Sequence, residues 1–259
     1  VIDFHSHLMP GVDDGAASLD DSRAALAAMR EQGVTALVTT PHFRASQLER
    51  ADECAEYLGR LDEAWASLKA LASAEFPDLR VERGVELMLD TPLADLSDPR
   101  LRLAGTSFVL VEFPFMTVPP NAGRAIFELK MSGWTPIIAH PERYSNLQPG
   151  SEAPGEWRRV GAYLQVNGAS LLGRYGPQAQ QIAGDLLKRG WADYLSSDYH
   201  ARGRLHSADV RAHVARQGEP QAALLTEINP SRMLTGDAPM PVPPLAGSPS
   251  LLRRIFGRG

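Results

Sequence analysis

Cys54 is the only cysteine in 259 residues, so no disulfide can form within the sequence, which points to a reducing, cytoplasmic setting. Lysine is almost as scarce. Lys69, Lys130 and Lys188 are the only ones, and the remaining basic residues are arginines. No apolar run approaches the roughly 20 residues that a membrane-spanning helix needs, and the first residues read as a strand, not as a signal peptide. A basic excess is also missing: the net charge of −5 argues against a general nucleic-acid binder. What remains is ordinary for a globular protein. Hydrophobic content of 44% and charged content of 22% suit a chain long enough to bury a core.

Seven short apolar runs punctuate the chain: Val1–Phe4, Val34–Thr40, Leu79–Val85, Thr106–Val111, Thr135–Ala139, Tyr163–Val166 and Trp191–Leu195. Helices are predicted between most of them. One covers Ser18–Gln32, with Ser18 as N-cap, Asp21 three residues on and Gly33 as its stop. A second runs from Ser46 to about Ala74, with Leu48, Cys54, Leu58, Leu61, Trp65, Leu68 and Leu71 at packing spacing and Pro77 as its close. Two more cover Ala122–Met131 and about Gln178–Arg189. Alternating strand and helix predicts a parallel sheet whose strand ends share one side. If that sheet closes, the ends converge on one mouth, and seven units make a barrel one short of the usual eight. Residues 1–236 contain no linker. From Asp237 onward, Pro239, Pro241, Pro243, Pro244 and Pro249 predict an extended, poorly packed segment ending in the basic, apolar Leu251–Phe256. The expected organisation is one domain over 1–236 and a Pro-rich tail over 237–259.

Each run has a polar residue at or just past its end. His5 and His7 follow the first, two residues apart and so on one face of an extended chain, with Asp13 and Asp14 in the next loop. His42 follows the second run, Glu86, Glu112 and His140 follow the next three, and Asp198 and His200 follow the last. One histidine so placed is more often a hydrogen-bonded structural residue than a ligand. Five of the chain's seven are hard to explain that way. Imidazole and carboxylate without thiolate suit manganese, iron, zinc or magnesium. His5, His7, Asp14, His42, Glu86, Glu112, His140, Asp198 and His200 are too many donors for one ion, which uses roughly four to six, so two or three ions are implied. Three divalent ions against the four carboxylates leave a surplus of about two positive charges, which calls for an anionic substrate such as a phosphate monoester.

Arg143, three residues past His140, could grip two phosphate oxygens or form a surface salt bridge, and the first reading is preferred; Arg202 and Arg204 are weaker candidates for the same task. Asp3 and Asp13 are expected to orient ligating histidines, and His206 to assist. His213 reads as a solvated helix residue. Glu82 is an alternative to Glu86 but lies inside its run. Trp65, Trp134, Trp157 and Trp191 read as packing residues.

Together these residues resemble the polymerase-and-histidinol-phosphatase (PHP) superfamily and, within it, the bacterial manganese-dependent tyrosine-protein phosphatases of capsule and exopolysaccharide loci. The matching pieces are Asp3-Phe4-His5-Ser6-His7, Val12-Asp13-Asp14-Gly15-Ala16, Thr40-Pro41-His42, Gly84-Val85-Glu86, Val111-Glu112-Phe113, Ala139-His140-Pro141-Glu142-Arg143-Tyr144 and Ser197-Asp198-Tyr199-His200, spanning Val1 to about Gly236. The resemblance implies an α/β fold, a distorted (βα)7 barrel, with three metal ions, manganese foremost, at its C-terminal mouth. It also implies the nine donors as ligands, Arg143 as a phosphate-binding residue and a second arginine near Arg202 or Arg204. The implied substrate is the phosphorylated tyrosine tail of a polysaccharide-chain-length tyrosine kinase.

The expected chemistry is direct hydrolysis of phosphotyrosine by water that the ions acidify, with Arg143 clamping the phosphate and His42 or His200 as general acid. Cys54 sits on a predicted helix without a phosphate-cradling loop, so a cysteinyl-phosphate route is not expected. Another PHP phosphoesterase, acting on histidinol phosphate or a nucleotide phosphate monoester, would use the same centre. An amidohydrolase-like enzyme often bridges its metals with a carboxylated lysine at a strand end, and all three lysines here lie in predicted helices. A metal-dependent binding module would need every coordination place filled by protein, whereas nine donors around three ions leave room for water and substrate. Nothing in the sequence specifies an oligomeric state.

Overall fold

The computed structural model describes residues 1–91 and 95–245. Its strands are β1 (Ile2–Asp3), β2 (Ala36–Thr39), β3 (His42–Arg44), β4 (Arg80–Arg83), β5 (Glu86–Met88), β6 (Phe108–Glu112), β7 (Thr135–Ala139), β8 (Tyr163–Asn167) and β9 (Tyr194–Ser196). They pair in parallel as two sheets, ordered β1-β2-β4 and β3-β5-β6-β7-β8-β9. The helices are α1 (Leu19–Glu31), α2 (Ala51–Glu75), α3 (Ala122–Met131), α4 (Ala153–Arg159), α5 (Gly168–Leu171), α6 (Gly176–Lys188), α7 (Ser207–Ala215), α8 (Glu219–Ala223) and α9 (Asn229–Leu234).

Single hydrogen bonds join the two sheets. The Gly84 amide donates to the Thr39 carbonyl at 3.0 Å and the Glu86 amide to the Pro41 carbonyl at 3.0 Å, so pairing continues past the breaks between β2 and β3 and between β4 and β5. On the far side, Ser6 bridges Tyr199 in parallel. There the His7 amide donates to the Tyr199 carbonyl and the Asp198 amide to the His5 carbonyl, both at 2.8 Å.

The apolar runs of β2, β6 and β7 are explained by burial on both strand faces. On β6, Phe108 and Leu110 join an inner cluster with Phe4, Val38, Ile137 and Tyr194, while Val109 and Val111 join the larger outer cluster beneath the helices. Phe4 and Tyr194 meet edge to face at 5.0 Å.

Several elements match the sequence expectation closely. In α1, Ser18 and Asp21 form a reciprocal capping box, worth about 1 kcal/mol. Cys54 is buried in α2, and Lys69, Lys130 and Lys188 lie in α2, α3 and α6. The second helix starts later than expected. Ala45–Glu49 is a 3₁₀ turn, because the Ser46 amide and hydroxyl bond to the Asp90 carboxylate at 2.8 and 2.7 Å. The described part of the proline-rich segment has no regular structure and is largely exposed, as expected, but it is anchored at two points. Val242 and Leu245 are buried, and the Leu245 amide donates to the Leu187 carbonyl at 3.0 Å. Buried Asn229 donates to the Met240 carbonyl at 3.0 Å and accepts from the Met240 amide at 2.8 Å. Gly190 permits this close approach: at φ +65 it lets the Val242 carbonyl pass where a side chain would stand. The Leu251–Phe256 terminus lies outside the described residues.

Candidate metal centre

The strand ends bring all nine expected donors to one place. His5 Nε2 lies 3.3 Å from Glu86 Oε2 and 3.2 Å from Asp198 Oδ1. His7 Nε2 lies 3.4 and 3.3 Å from the same two oxygens. His42 presents Nδ1 to Glu86 at 3.1 Å and to Glu112 at 3.4 Å, and Nε2 to Asp14 at 3.4 Å. His200 Nε2 is 3.3 Å from Asp14, and His140 Nε2 is 2.8 Å from Glu86 Oε1.

Three overlapping donor groups emerge: His7, Asp14, His42 and His200; His5, His7, Glu86 and Asp198; and His42, Glu86 and Glu112. His140 stands beside the last two through Glu86. Glu82 instead pairs with Arg80 near the surface, and His206 pairs with Asp209.

The donor set fits cations on a direct structural criterion. His5 Nε2, His7 Nε2, His42 Nδ1, Glu86 Oε2 and Asp198 Oδ1 are buried without a hydrogen-bond partner, yet they face one another. Buried polar atoms are rarely left unsatisfied, and a metal ion is the group that satisfies nitrogen and oxygen lone pairs together. The electrostatics agree. Burial disfavours the His5 imidazolium, but Glu86 and Asp198 outweigh it and raise its pKa. For His42 burial is likewise outweighed, by Glu112 and Glu86, which hold its pKa up to about 10. Burial alone would raise Glu86 and Asp198, yet the surrounding imidazoles pull both down.

A pH dependence follows for the metal-free chain. His42 has a raised folded pKa, so its contribution to stability is complete below its ordinary 6.5 and is lost as pH climbs through about 10. Glu86 and Asp198 have lowered pKa values, so theirs is present above the ordinary carboxylate range and lost as pH falls below it. Protons also compete with cations for the same lone pairs. The rise in melting temperature on adding manganese should therefore grow from pH 6 to pH 9 in thermal scans. A rise that shrinks over that range would contradict cation binding at this cluster.

Local backbone features aim the donors. One acceptor, Ser196 Oγ, takes both the Phe4 amide at 3.0 Å and the His5 amide at 2.9 Å. Consecutive amides of a regular strand point to opposite sides, so the chain leaves strand geometry there and turns the His5 side chain inward. Asp3 holds this corner, accepting from Ser196 Oγ at 2.5 Å and from the His5 and Ser197 amides. It meets the backbone of His5 and not the imidazole, so it orients that histidine through the main chain. Asp13 also acts as expected, with Oδ2 2.7 Å from His7 Nδ1. Gly15 lets that loop close over His7, for a Cβ there would stand 2.1 Å from the His7 carbonyl oxygen. His140 (φ 33) and Asp198 (φ 55) take left-handed backbone, a strained conformation that clusters at functional sites.

Gln165 was missed by the sequence reading. Its Oε1 lies 2.9 Å from His5 Nδ1, setting that ring's tautomer, and its amide donates to Asn167, which donates to Asp198 Oδ2 at 3.0 Å. The signal for both was two polar residues spaced by two in an otherwise apolar strand. Glu142 ties the His140 loop to β8, accepting from the Asn167 amide at 2.9 Å and from Ser170 Oγ at 2.7 Å. Arg143 pairs with Asp198 Oδ2 and lies 4.4 Å from the centre of the Tyr175 ring. Of the two remaining arginine candidates, Arg202 reaches the mouth, pairing with the Asp14 carbonyl and carboxylate, whereas Arg204 pairs with Asp209.

Comparison with known proteins places this centre in context. Residues 1–235 match the family model described as capsular polysaccharide synthesis, CpsB/CapC. The tyrosine-protein phosphatase YwqE of Bacillus subtilis is 28% identical over 266 residues, covering 99% of each chain. The tyrosine-protein phosphatase CpsB of Streptococcus agalactiae is 30% identical over 220 residues, 82% of this chain and 85% of that one. Among solved structures, one from the work on Bacillus subtilis YwqE and Streptococcus pneumoniae CpsB, described as metal-dependent tyrosine phosphatases, superposes with a TM-score of 0.79 at 25% identity, over 96% of this chain and 100% of that one. Histidinol phosphate phosphatase from Lactococcus lactis shares the fold, with a TM-score of 0.51 at 15% identity. On the match over residues 1–235, the chain belongs to the CpsB/CapC family of capsular polysaccharide synthesis proteins.

Proposed function

We propose that this chain is a metal-dependent protein-tyrosine phosphatase that hydrolyses a phosphotyrosine monoester at the nine-donor cluster. The observation that carries the reading is the convergence of unpartnered buried imidazole and carboxylate atoms on a mouth that also bears Arg143. Three overlapping donor groups support three divalent ions, with manganese suited to mixed nitrogen and oxygen ligands. Such ions, when bound, supply Lewis acidity and lower the pKa of water. The hydrogen bonds that link the first and last strand segments, and those that carry pairing past Pro41 and Gly84, support reading the seven units as a distorted (βα)7 barrel.

The chain's own residues have separable tasks in this reading. Arg143 holds phosphoryl oxygens, its guanidinium steadied by Tyr175 and Asp198, with Arg202 as the second cation. His42 and His200 are the imidazoles of the cluster open to solvent, 37% and 23% exposed against 3% or less for His5, His7 and His140. That access suits proton delivery to the leaving oxygen. Family membership supports a physiological substrate on the phosphorylated tail of a tyrosine kinase of capsule synthesis. The single cysteine supports a cytoplasmic site of action.

The test is phosphate release from a phosphotyrosine peptide, a phosphoserine peptide and histidinol phosphate by the manganese-loaded chain. Release from phosphotyrosine above the other two is expected. Preference for histidinol phosphate would keep the centre and replace the substrate.

A further inference from the structure

We propose that Phe115 determines the substrate class of this centre, its ring being the apolar wall on which the phenyl ring of an aryl phosphate packs. The inference rests on the phosphatase reading and adds the residue that makes it selective for aryl over alkyl esters. Phe115 lies three residues past Glu112 and lines the cavity that also holds His42, Glu112 and Arg143, with Met88 and Met116 beside it. The residue is 92% exposed, which leaves a large aromatic group in water at the rim of a polar site. Folding ordinarily removes such a side chain from solvent.

The backbone is arranged to keep it there. Phe115 has φ 56 and Met116 has φ 50, two consecutive non-glycine residues in the left-handed region. That conformation is unfavourable for bulky residues and persists only when its surroundings impose it. The surroundings are the loop that carries Arg143. The Ser145 amide donates to the Met116 carbonyl at 2.9 Å, the Val118 amide to Asn146 Oδ1 at 3.0 Å, and Asn146 Nδ2 to the Val118 carbonyl at 2.9 Å. Phe115 is thus presented by a turn clamped to the phosphate-binding loop, and its position is tied to that of Arg143.

The chemistry of the ester supplies the occupant. A phosphotyrosine ring extends directly from the ester oxygen, so a phosphoryl group at the donor cluster leaves a flat apolar face at the rim. Phosphoserine offers one methylene there. Only the aryl ester can stack on Phe115, and aromatic pairs favour offset or edge contacts of this kind.

The experiment compares the manganese-loaded wild-type chain with Phe115→Ala, Phe115→Gly and Phe115→Trp. The readouts are turnover of phosphotyrosine and phosphoserine peptides, competitive inhibition by inorganic phosphate, and melting temperature. For phosphotyrosine, kcat/KM should fall about tenfold in the Ala and Gly variants, chiefly through KM, and recover in Trp. Inhibition by phosphate and any turnover of phosphoserine should stay within about twofold, since neither ligand reaches the wall. Phe115→Gly should melt at or above the wild-type temperature, because glycine adopts this φ without strain; a loss of aryl turnover there is then not a loss of folding. Unchanged phosphotyrosine kinetics, or equal losses for phosphate and phosphotyrosine, would overturn the assignment. A wild-type chain inert toward phosphotyrosine overturns the phosphatase reading itself, and this is seen before any variant is compared.

Discussion

Glu86→Gln is expected to lower kcat/KM on a phosphotyrosine peptide by at least about a thousandfold, to the floor that a chelator imposes on the wild-type chain. Among the described residues no other carboxylate pairs with so many of the cluster's imidazoles. Glu86 Oε2 lies 3.3 Å from His5, 3.4 Å from His7 and 3.1 Å from His42, and Oε1 lies 2.8 Å from His140. The amide keeps the shape but removes a negative charge and replaces one oxygen donor with an N–H₂ group that repels a cation. Because Glu86 belongs to two of the three donor groups, metal content measured on the purified variant should fall by at least one ion per chain. The loss of several kcal/mol of transition-state stabilisation corresponds to the stated rate effect at about 1.4 kcal/mol per tenfold. A variant with full metal content and full turnover would place the chemistry elsewhere.

Arg143→Ala should reduce kcat/KM by about 10²- to 10³-fold, the usual consequence of removing a preorganised charged donor from developing phosphoryl charge. Arg143→Lys should recover little of this, because an ammonium group cannot reproduce the planar two-point grip or the stack on Tyr175 at 4.4 Å. The effect belongs on the substrate side, so metal content should be retained, which separates this variant from Glu86→Gln. The other two candidates differ in the same assay. Arg202, on Asp14, should matter by about tenfold, while Arg204, paired with Asp209, should stay within about twofold of wild type. Equal effects at Arg202 and Arg204 would contradict the placement of Arg202 at the mouth.

Much of the site was legible because its donors follow a local rule. His42, Glu86 and His140 each come at or just past the end of an apolar run, and a parallel sheet carries all such ends to one side. The choice of Glu86 over Glu82 came from the same rule, and Glu82 indeed turns away to Arg80. The lysine argument was equally local, since helical spacing alone put Lys69, Lys130 and Lys188 away from strand ends. Gln165 was passed over because a polar side chain within a strand has no partner visible in sequence; its partner, His5, is 160 residues away. How Asp3 acts was hidden for the complementary reason. Its place before His5 suggested that it orients a histidine, but the route, through the His5 amide and through Ser196 that β9 delivers from the other end of the chain, is not visible in sequence. The proline-rich segment read as poorly packed because proline disfavours regular pairing; what the sequence did not show is that Val242, Leu245 and Asn229 anchor its described part.

By itself the sequence determined seven strand-forming runs, four of the helices between them, and nine candidate donors with the kind of ion and substrate such side chains would suit. Those properties follow from side-chain periodicity and from the chemistry of imidazole, carboxylate and guanidinium, which need no distant partner to be recognised. The tertiary structure alone decided which lone pairs face one another, which arginine reaches the mouth, and that Phe115 stands exposed at its rim. Those depend on left-handed residues such as His140, Asp198 and Phe115, and on hydrogen bonds between segments far apart in the chain. A local pattern cannot specify either, because the strain of the first is sustained only by the second.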